Sequence, residues 1–127
     1  MNLFIVEDSV AVRKNLKSML SDIPGLILAG YAEDEMNAIE CIDTLLPDIV
    51  ILDLNLKFGH GINVLKEIKE RHAAIKVVVL TNHAGEPYIS RCKKAGADYF
   101  FDKTFQFLQV HSVLKGMSSC MPGSEVQ

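Results

Sequence analysis

Cysteine is scarce in this sequence, and no apolar run is long. The three cysteines among 127 residues, Cys41, Cys92 and Cys120, form no CxxC pair, so the sequence predicts neither a disulfide framework nor a zinc site. No apolar stretch approaches the ~20 residues that a membrane-spanning helix needs. The opening apolar run meets Glu7 too early for the core of a signal peptide. We therefore expect a cytoplasmic protein with reduced thiols and no membrane contact.

Positive charge is also limited. The chain has 13 basic and 16 acidic residues, a formal net charge of -3 and no Lys/Arg block longer than a pair. This balance argues against a domain that binds nucleic acid directly by neutralising phosphates. Hydrophobic residues make up 49% of the chain and charged residues 23%, which is ordinary for a folded protein, and the length suits one domain.

Five short apolar runs alternate with amphipathic segments. The runs are continuous, as expected of strands buried on both faces of a parallel sheet, and they are Leu3–Val6, Leu26–Tyr31, Ile49–Leu52, Val77–Leu80 and Tyr99–Phe101. Five strand-then-helix units in series predict a single-domain α/β fold, a doubly wound (βα)5 sandwich. We expect a flavodoxin-like, five-stranded parallel sheet of order 2-1-3-4-5, a domain over residues 1–117 and a disordered C-terminal tail over residues 118–127.

Apolar stripes at helical spacing predict the helices between these runs. Ser9 is the expected N-cap of the first helix, and Pro24-Gly25 is expected to end it. The fourth helix is predicted to begin near Glu86-Pro87 and to stop at Gly96. The fifth presents an apolar stripe of Phe107, Val110, Leu114 and Met117.

Polar side chains close four of the five predicted strands. Glu7 and Asp8 follow the first strand, Asp53 the third, Thr81 the fourth and Lys103 the fifth. In a doubly wound sheet a site forms outside the carboxyl ends of the strands, so these groups should converge. Clustered carboxylates suit Mg²⁺, and a lysine and a hydroxyl beside them could hold a phosphoryl group that is transferred to a carboxylate nucleophile. Asp53 is the candidate nucleophile.

Five sequence motifs follow one another along these strand-then-helix units in a fixed order. They are "VEDS", "DIVILDLNL" with Asp53, "GHGINVLKEI", "VVVLTN" with Thr81 and "AGADYFFDK" with Lys103. Each is weak alone. Together they resemble the bacterial response-regulator receiver domain, the phosphoacceptor of two-component signalling, over nearly all of residues 1–117.

The resemblance implies a role for each acidic site residue. Asp53 would accept the phosphoryl group and contribute to the Mg²⁺ site. Asp8 would bind Mg²⁺ directly, Glu7 directly or through water, and Asn55 through its backbone carbonyl.

The resemblance also implies the parts of a switch. Lys103 would pair with the acceptor or its phosphate, and Thr81 would hydrogen-bond the phosphoryl group. Phe100 would be the aromatic residue that turns inward as the Thr81 loop closes. Taken by itself, Phe100 is most simply explained as a buried strand aromatic.

Several positions depart from the family pattern or modulate it. Many receivers have proline where this chain has Lys57, which should loosen the loop before Gly61. Many also have proline after the lysine, where this chain has Thr104, so a cis or a trans Lys103-Thr104 bond is left open. Asn55 and His83 occupy positions where receivers tune dephosphorylation.

The expected function is a phosphorylatable switch of a two-component phosphorelay, and not an enzyme acting on a separate substrate. Its partners would be a sensor histidine kinase or phosphotransfer protein and an effector protein or output domain, with a homodimer possible. Phe105 and Leu108 fall off the stripe of the fifth helix, which indicates either a helix start tucked against the fourth helix or an exposed partner surface.

Two alternatives belong to other classes. One is a small Mg²⁺-dependent phosphohydrolase with Asp53 as nucleophile, although such enzymes usually carry D-x-D after an early strand and this chain has Asp53-Leu54-Asn55 after the third. The other is a receiver-like binding scaffold that takes no phosphate. A flavin binder fits poorly, because acids occupy the first loop where phosphate would need donors.

Overall fold

In the part of the chain that the structure describes, five short strands form one parallel sheet, and five helices cover its two faces. The computed structural model describes residues 1–119. Its elements in chain order are β1 (Asn2–Val6), α1 (Val10–Leu20), β2 (Ile27–Ala32), α2 (Glu35–Leu45), β3 (Ile49–Leu52), α3 (Gly61–Arg71), β4 (Lys76–Thr81), α4 (Tyr88–Lys94), β5 (Tyr99–Asp102) and α5 (Gln109–Ser119). The strand order is β2-β1-β3-β4-β5, and every pairing is parallel. The predicted fold class and strand order are therefore confirmed.

The central strands are apolar because both of their faces are covered. All four residues of β3 are buried, and β1 is buried from Leu3 to Val6. Alternate side chains enter two separate cores on opposite sides of the sheet. Phe4 and Val6 pack with α2, α3 and α4, whereas Leu3 and Ile5 pack with α1 and α5.

The edge strand β2 does not follow the prediction of burial on both faces. Ile27 is 60% exposed and Tyr31 53% exposed, although the run reads as continuously apolar. β2 pairs only with β1, and its register shifts between Leu3 and Phe4 of that strand. An edge position explains the exposure, because the neighbouring helices cover the centre of a sheet better than its border.

Local capping sets where the helices begin and end. Ser9 is the N-cap of α1, and its Oγ accepts the backbone N–H of Val12 at 3.2 Å. The helix ends at Leu20, and turns carry the chain on to Pro24, so the prediction that Pro24-Gly25 ends the helix is about one turn too late. Gly96, with φ of +98°, follows α4 as expected of a glycine after a helix end.

The last described helix is longer than predicted. α5 runs to Ser119, and the Oγ of Ser118 donates to the backbone oxygen of Pro24 at 2.7 Å. Two residues of the predicted tail, Ser118 and Ser119, therefore lie in this helix. The rest of the predicted tail, residues 120–127, lies outside the described residues.

The helices are short as well as amphipathic. Those in residues 1–119 have at most 11 residues, and a membrane-spanning helix needs about 20. None of the described helices could therefore cross a bilayer.

Candidate functional site

Three strands deliver charged side chains to one point at the carboxyl edge of the sheet. Val6 of β1 lies beside Leu52 of β3, and the next residue of each strand is acidic. The Nζ of Lys103, just after β5, lies 2.7 Å from Oε1 of Glu7 and 3.0 Å from Oδ2 of Asp53. The structure thus brings together side chains up to 96 residues apart in the sequence, as parallel strands that all end at one edge require.

This pocket is buried despite its charge. Glu7 is 3% exposed and Asp53 5% exposed. Burial raises the pKa of Glu7 above its ordinary value, and this effect outweighs the opposing hydrogen bond from Lys103. Burial alone would lower the pKa of Lys103, but the hydrogen bonds and negative charges of Glu7 and Asp53 raise it overall. Lys103 is therefore held as a cation between the two carboxylates.

A third carboxylate, that of Asp8, completes an all-oxygen set. Glu7, Asp8 and Asp53 each offer a carboxylate oxygen, and these three oxygens lie within 4.8 Å of one another. Asp8 is half-buried, so the set opens toward solvent on its side. Oxygen donors on rigid strand ends, with room left for water, are the ligands that Mg²⁺ prefers. The residues therefore fit a hard divalent cation. We call Glu7, Asp8, Asp53 and Lys103 the acidic pocket.

The loop after β3, residues 54–60, wraps around the acceptor candidate. The backbone N–H of Asn55 donates to Oδ1 of Asp53 at 3.3 Å, and Asn55 also forms an antiparallel bridge with His60. Gly61 closes the loop. A Cβ added there would lie 2.1 Å from the backbone oxygen of Asp53 and 2.7 Å from the Cα of Leu54. A side chain at Gly61 would therefore push directly on the backbone of Asp53.

Thr81 lies at the end of β4, but its hydroxyl is bound within its own loop. Thr81 is fully buried, and its Oγ1 accepts the backbone N–H of His83 at 3.2 Å. Among the hydrogen bonds of residues 1–119, none joins Thr81 to the acidic pocket by its side chain. Its backbone oxygen accepts the N–H of Lys103 at 2.9 Å, so the two residues are linked through the sheet.

The other predicted switch residue, Phe100, is half-buried. It packs against the core under α2, α3 and α4, whereas its neighbour Phe101 enters the opposite core. The peptide bond between Lys103 and Thr104 is trans, which answers the question left open by the missing proline. The backbone N–H of Thr104 donates to Oδ1 of Asp102 at 2.7 Å.

Two apolar residues of the loop before α5 are exposed. Phe105 is 84% exposed and Leu108 is 74% exposed. The alternative in which this helix start is tucked against the fourth helix is therefore wrong. His83 is also exposed, and its ring centroid lies 5.2 Å from that of Tyr88.

Arg13 supports the pocket from α1, and sequence reasoning missed it. Its Nη1 donates to the backbone oxygen of Glu7 at 2.8 Å, and its guanidinium lies 4.1 Å from the centre of the Tyr31 ring. The same nitrogen is 3.9 Å from Oε2 of Glu33. These contacts hold the backbone between Glu7 and Asp8 in place. No sequence motif indicates these contacts of Arg13, because they depend on how α1 packs against β1 and β2.

A second missed residue is Glu35, at the start of α2. Its Oε1 accepts the backbone N–H of His60 at 2.9 Å and the Nδ2 of Asn63 at 3.2 Å. The loop after Asp53 is therefore tied to another helix. The prediction of a loop loosened by Lys57 took no account of this tie, since contacts over 25 residues leave no local sequence signal.

Comparisons with known proteins all indicate the response regulator receiver domain. The family model described as the response regulator receiver domain matches residues 3–115. The transcriptional regulatory protein DegU of Brevibacillus brevis is 28% identical over 101 residues, which are 80% of this chain and 43% of that protein. The chain spans about half the length, or less, of the first curated relatives that it matches.

Solved structures share the fold. The response regulator domain of Thermotoga maritima CheB has a TM-score of 0.80 at 26% identity, with 93% of this chain and 92% of that chain covered. A chain of the CheX-CheY-BeF3-Mg+2 complex from Borrelia burgdorferi has a TM-score of 0.77 at 27% identity, with 90% and 89% covered.

Proposed function

The chain belongs to the response regulator receiver domain family, and on that premise we propose that it is a cytoplasmic switch that accepts a phosphoryl group on Asp53. The donor is the phosphohistidine of a sensor histidine kinase or phosphotransfer protein. One observation carries the proposal: Lys103 bridges Glu7 and Asp53 at the buried edge of the sheet, with Asp8 beside them.

The acidic pocket and the neighbouring Asn55 would hold the cofactor, Mg²⁺. Asp8 and Asp53 would bind Mg²⁺ through carboxylate oxygens, Glu7 directly or through water, and Asn55 through its backbone carbonyl. When bound, Mg²⁺ supplies positive charge to the oxygens of the phosphoryl group. The loop that carries Asn55 already curls over Asp53, as its 3.3 Å hydrogen bond to the carboxylate supports.

The protein's part in the transfer is positioning and charge neutralisation. A carboxylate oxygen of Asp53 attacks phosphorus, the bond between phosphorus and the donor's imidazole nitrogen breaks, and the imidazole leaves with the electron pair. Lys103 keeps its proton and stays beside Asp53, where it offsets the charge that the phosphoryl group adds. Hydrolysis of the resulting acyl phosphate restores the carboxylate.

Phosphorylation would then change the surface. A phosphoryl group brings roughly two negative charges at neutral pH, which favours a conformation in which Thr81 leaves the N–H of His83 and donates to the phosphoryl oxygen. Phe100 would follow by packing alone, because it has no hydroxyl. The exposed Phe105 and Leu108 are the surface that we assign to an effector, an output domain or a second copy of the chain.

Neither alternative gains support from the structure. A phosphohydrolase needs a covered substrate site, and the described chain has no cap segment over the acidic pocket. We therefore propose that the domain promotes its own phosphorylation and dephosphorylation and acts on no separate substrate. A scaffold that takes no phosphate has no use for three carboxylates gathered at one edge of the sheet, two of them buried at a cost in desolvation.

The deciding experiment is mass spectrometry of the intact protein after incubation with Mg²⁺ and a small acyl-phosphate donor. We expect one phosphoryl adduct on the natural chain, none on Asp53→Asn, and an unchanged adduct on Asp43→Asn, which alters an exposed aspartate elsewhere. An adduct that survives in Asp53→Asn would contradict the assignment of the acceptor. Steady release of phosphate from phosphate esters would favour the phosphohydrolase.

A further inference from the structure

Glu35 forms hydrogen bonds to the loop after the phosphoryl acceptor through both its backbone and its side chain. Its backbone N–H donates to the backbone oxygen of Phe58 at 3.0 Å, and its carboxylate accepts the backbone N–H of His60 at 2.9 Å. The same carboxylate oxygen accepts the side-chain amide of Asn63 at 3.2 Å. One residue of α2 thus fixes the loop before and after Gly59. We call these three hydrogen bonds the Glu35 clamp.

Gly59 makes the close approach possible. A Cβ added at this position would lie 2.5 Å from the Cβ of Glu35 and 2.7 Å from its Oε1, and the residue has φ of +92°. Any side chain would therefore collide with the clamp as well as strain the backbone. The loop and the side chain of Glu35 fit together only because glycine is there.

The clamp also supplies a charge that α3 lacks. His60 is the N-cap residue of α3, and its side chain makes no capping hydrogen bond. The carboxylate of Glu35 lies at this helix start through its bonds to His60 and Asn63. A negative charge there is favourable, because the N-terminus of a helix carries partial positive charge. A residue of one helix thus caps the next.

From the clamp, a short path of contacts leads to the acidic pocket. His60 forms an antiparallel bridge with Asn55, and the N–H of Asn55 donates to Oδ1 of Asp53. Lys57, where proline would stiffen the loop, gives no rigidity of its own. The tie to α2 replaces that rigidity from outside the loop.

We propose that Glu35 is a positioning residue, which holds the loop so that the backbone carbonyl of Asn55 is in place for Mg²⁺. This inference rests on the proposed function, in which Asn55 is a ligand. It predicts that the clamp acts on cation affinity and not merely on stability.

The test compares Glu35→Ala with Glu35→Gln and with Glu40→Ala, an exposed glutamate on the same helix. Mg²⁺ affinity is measured by calorimetric titration, and protection of the His60 amide by NMR hydrogen exchange. Glu35→Ala should weaken Mg²⁺ binding about fivefold, the equivalent of one lost hydrogen bond, and should speed exchange at His60. Glu35→Gln keeps an oxygen acceptor and should restore most of the affinity. Glu40→Ala should match the natural chain.

A second variant reaches the clamp from the loop side. Gly59→Ala should displace Glu35 and weaken Mg²⁺ binding at least as much as Glu35→Ala. Unchanged affinity in Glu35→Ala, or equal losses in Glu35→Ala, Glu35→Gln and Glu40→Ala, would overturn the role of Glu35, since the latter pattern reports charge alone. A natural chain that binds no Mg²⁺ and forms no adduct would instead overturn the proposed function.

Discussion

Two clusters of ion pairs lie at opposite ends of the parallel strands, one at the carboxyl edge of the sheet and one at the amino edge. At the carboxyl edge, Lys103 joins Glu7 and Asp53, with side chains 13%, 3% and 6% exposed. At the amino edge, where α2 and α3 end, Asp43 pairs with Arg71 at 2.6 Å and with His72 at 2.7 Å, and these side chains are 36%, 49% and 26% exposed. The distances are alike, but the solvation is not.

The difference teaches that contact distance does not measure what an ion pair is worth. Charges near water interact weakly, and an exposed pair typically contributes roughly 0–1 kcal/mol to the free energy of unfolding. Charges taken out of water cost several kcal/mol each unless they are compensated. The carboxyl edge keeps three groups in that costly setting, which fits a site prepared for a cation and a phosphoryl group. The amino edge carries only surface pairing.

The largest effect should come from removing the cation of the acidic pocket. Lys103→Met leaves Glu7 and Asp53 buried side by side, and loss of one partner of a buried ion pair costs about 3 kcal/mol or more. The free energy of unfolding from urea denaturation, without divalent cation, would measure this. Added Mg²⁺ should recover part of the loss, because a ligand that binds the native state stabilises it. A loss below about 1 kcal/mol would erase the contrast between the two edges.

A smaller loss is expected from Gly61→Ala at the same edge. The added methyl group meets the backbone of Asp53 and Leu54, and overpacking of this kind costs roughly 1–3 kcal/mol. The matched control is Gly116→Ala in α5, where an added Cβ meets nothing within 4 Å. That change should stabilise by about 0.5–1 kcal/mol through helix propensity. Thermal unfolding of both variants tests the pair, and equal effects would contradict the tight packing at Gly61.

The smallest effect is expected at the amino edge, and it should depend on pH. The hydrogen bond from His72 lowers the pKa of Asp43; desolvation opposes this shift, and the positive charge of Arg71 adds to it. Since the folded pKa lies below the unfolded value of 3.8, the ionised group stabilises the fold above that value and loses its contribution as the pH falls through the lowered pKa. Urea midpoints of the natural chain and Asp43→Asn should differ slightly at pH 7 and converge as the pH falls through the lowered pKa of Asp43. A difference in urea midpoint that grows in acid would contradict a lowered pKa of Asp43 in the folded protein.

Much of the site was predictable because it depends on topology. Glu7, Asp53 and Lys103 each follow an apolar run, and any parallel sheet with these runs as neighbours must bring their ends to one edge. The resemblance of the sequence motifs to the receiver family then assigned a role to each of these residues. The orientation of the Thr81 side chain was not predictable. Its hydroxyl accepts the N–H of His83, and the sequence does not distinguish this arrangement from one in which the hydroxyl points toward Asp53.

Alternating apolar runs and amphipathic segments were enough by themselves to determine the strands, the helices and the strand ends that carry charge, because burial and periodicity are properties of local sequence. The tertiary structure alone decided the depth at which Glu7 and Asp53 lie, the exposure of β2 at the sheet border, and the ties of Arg13 and Glu35 to distant loops. Desolvation and long-range hydrogen bonds depend on which segments become neighbours, and that is settled only when the whole chain has packed.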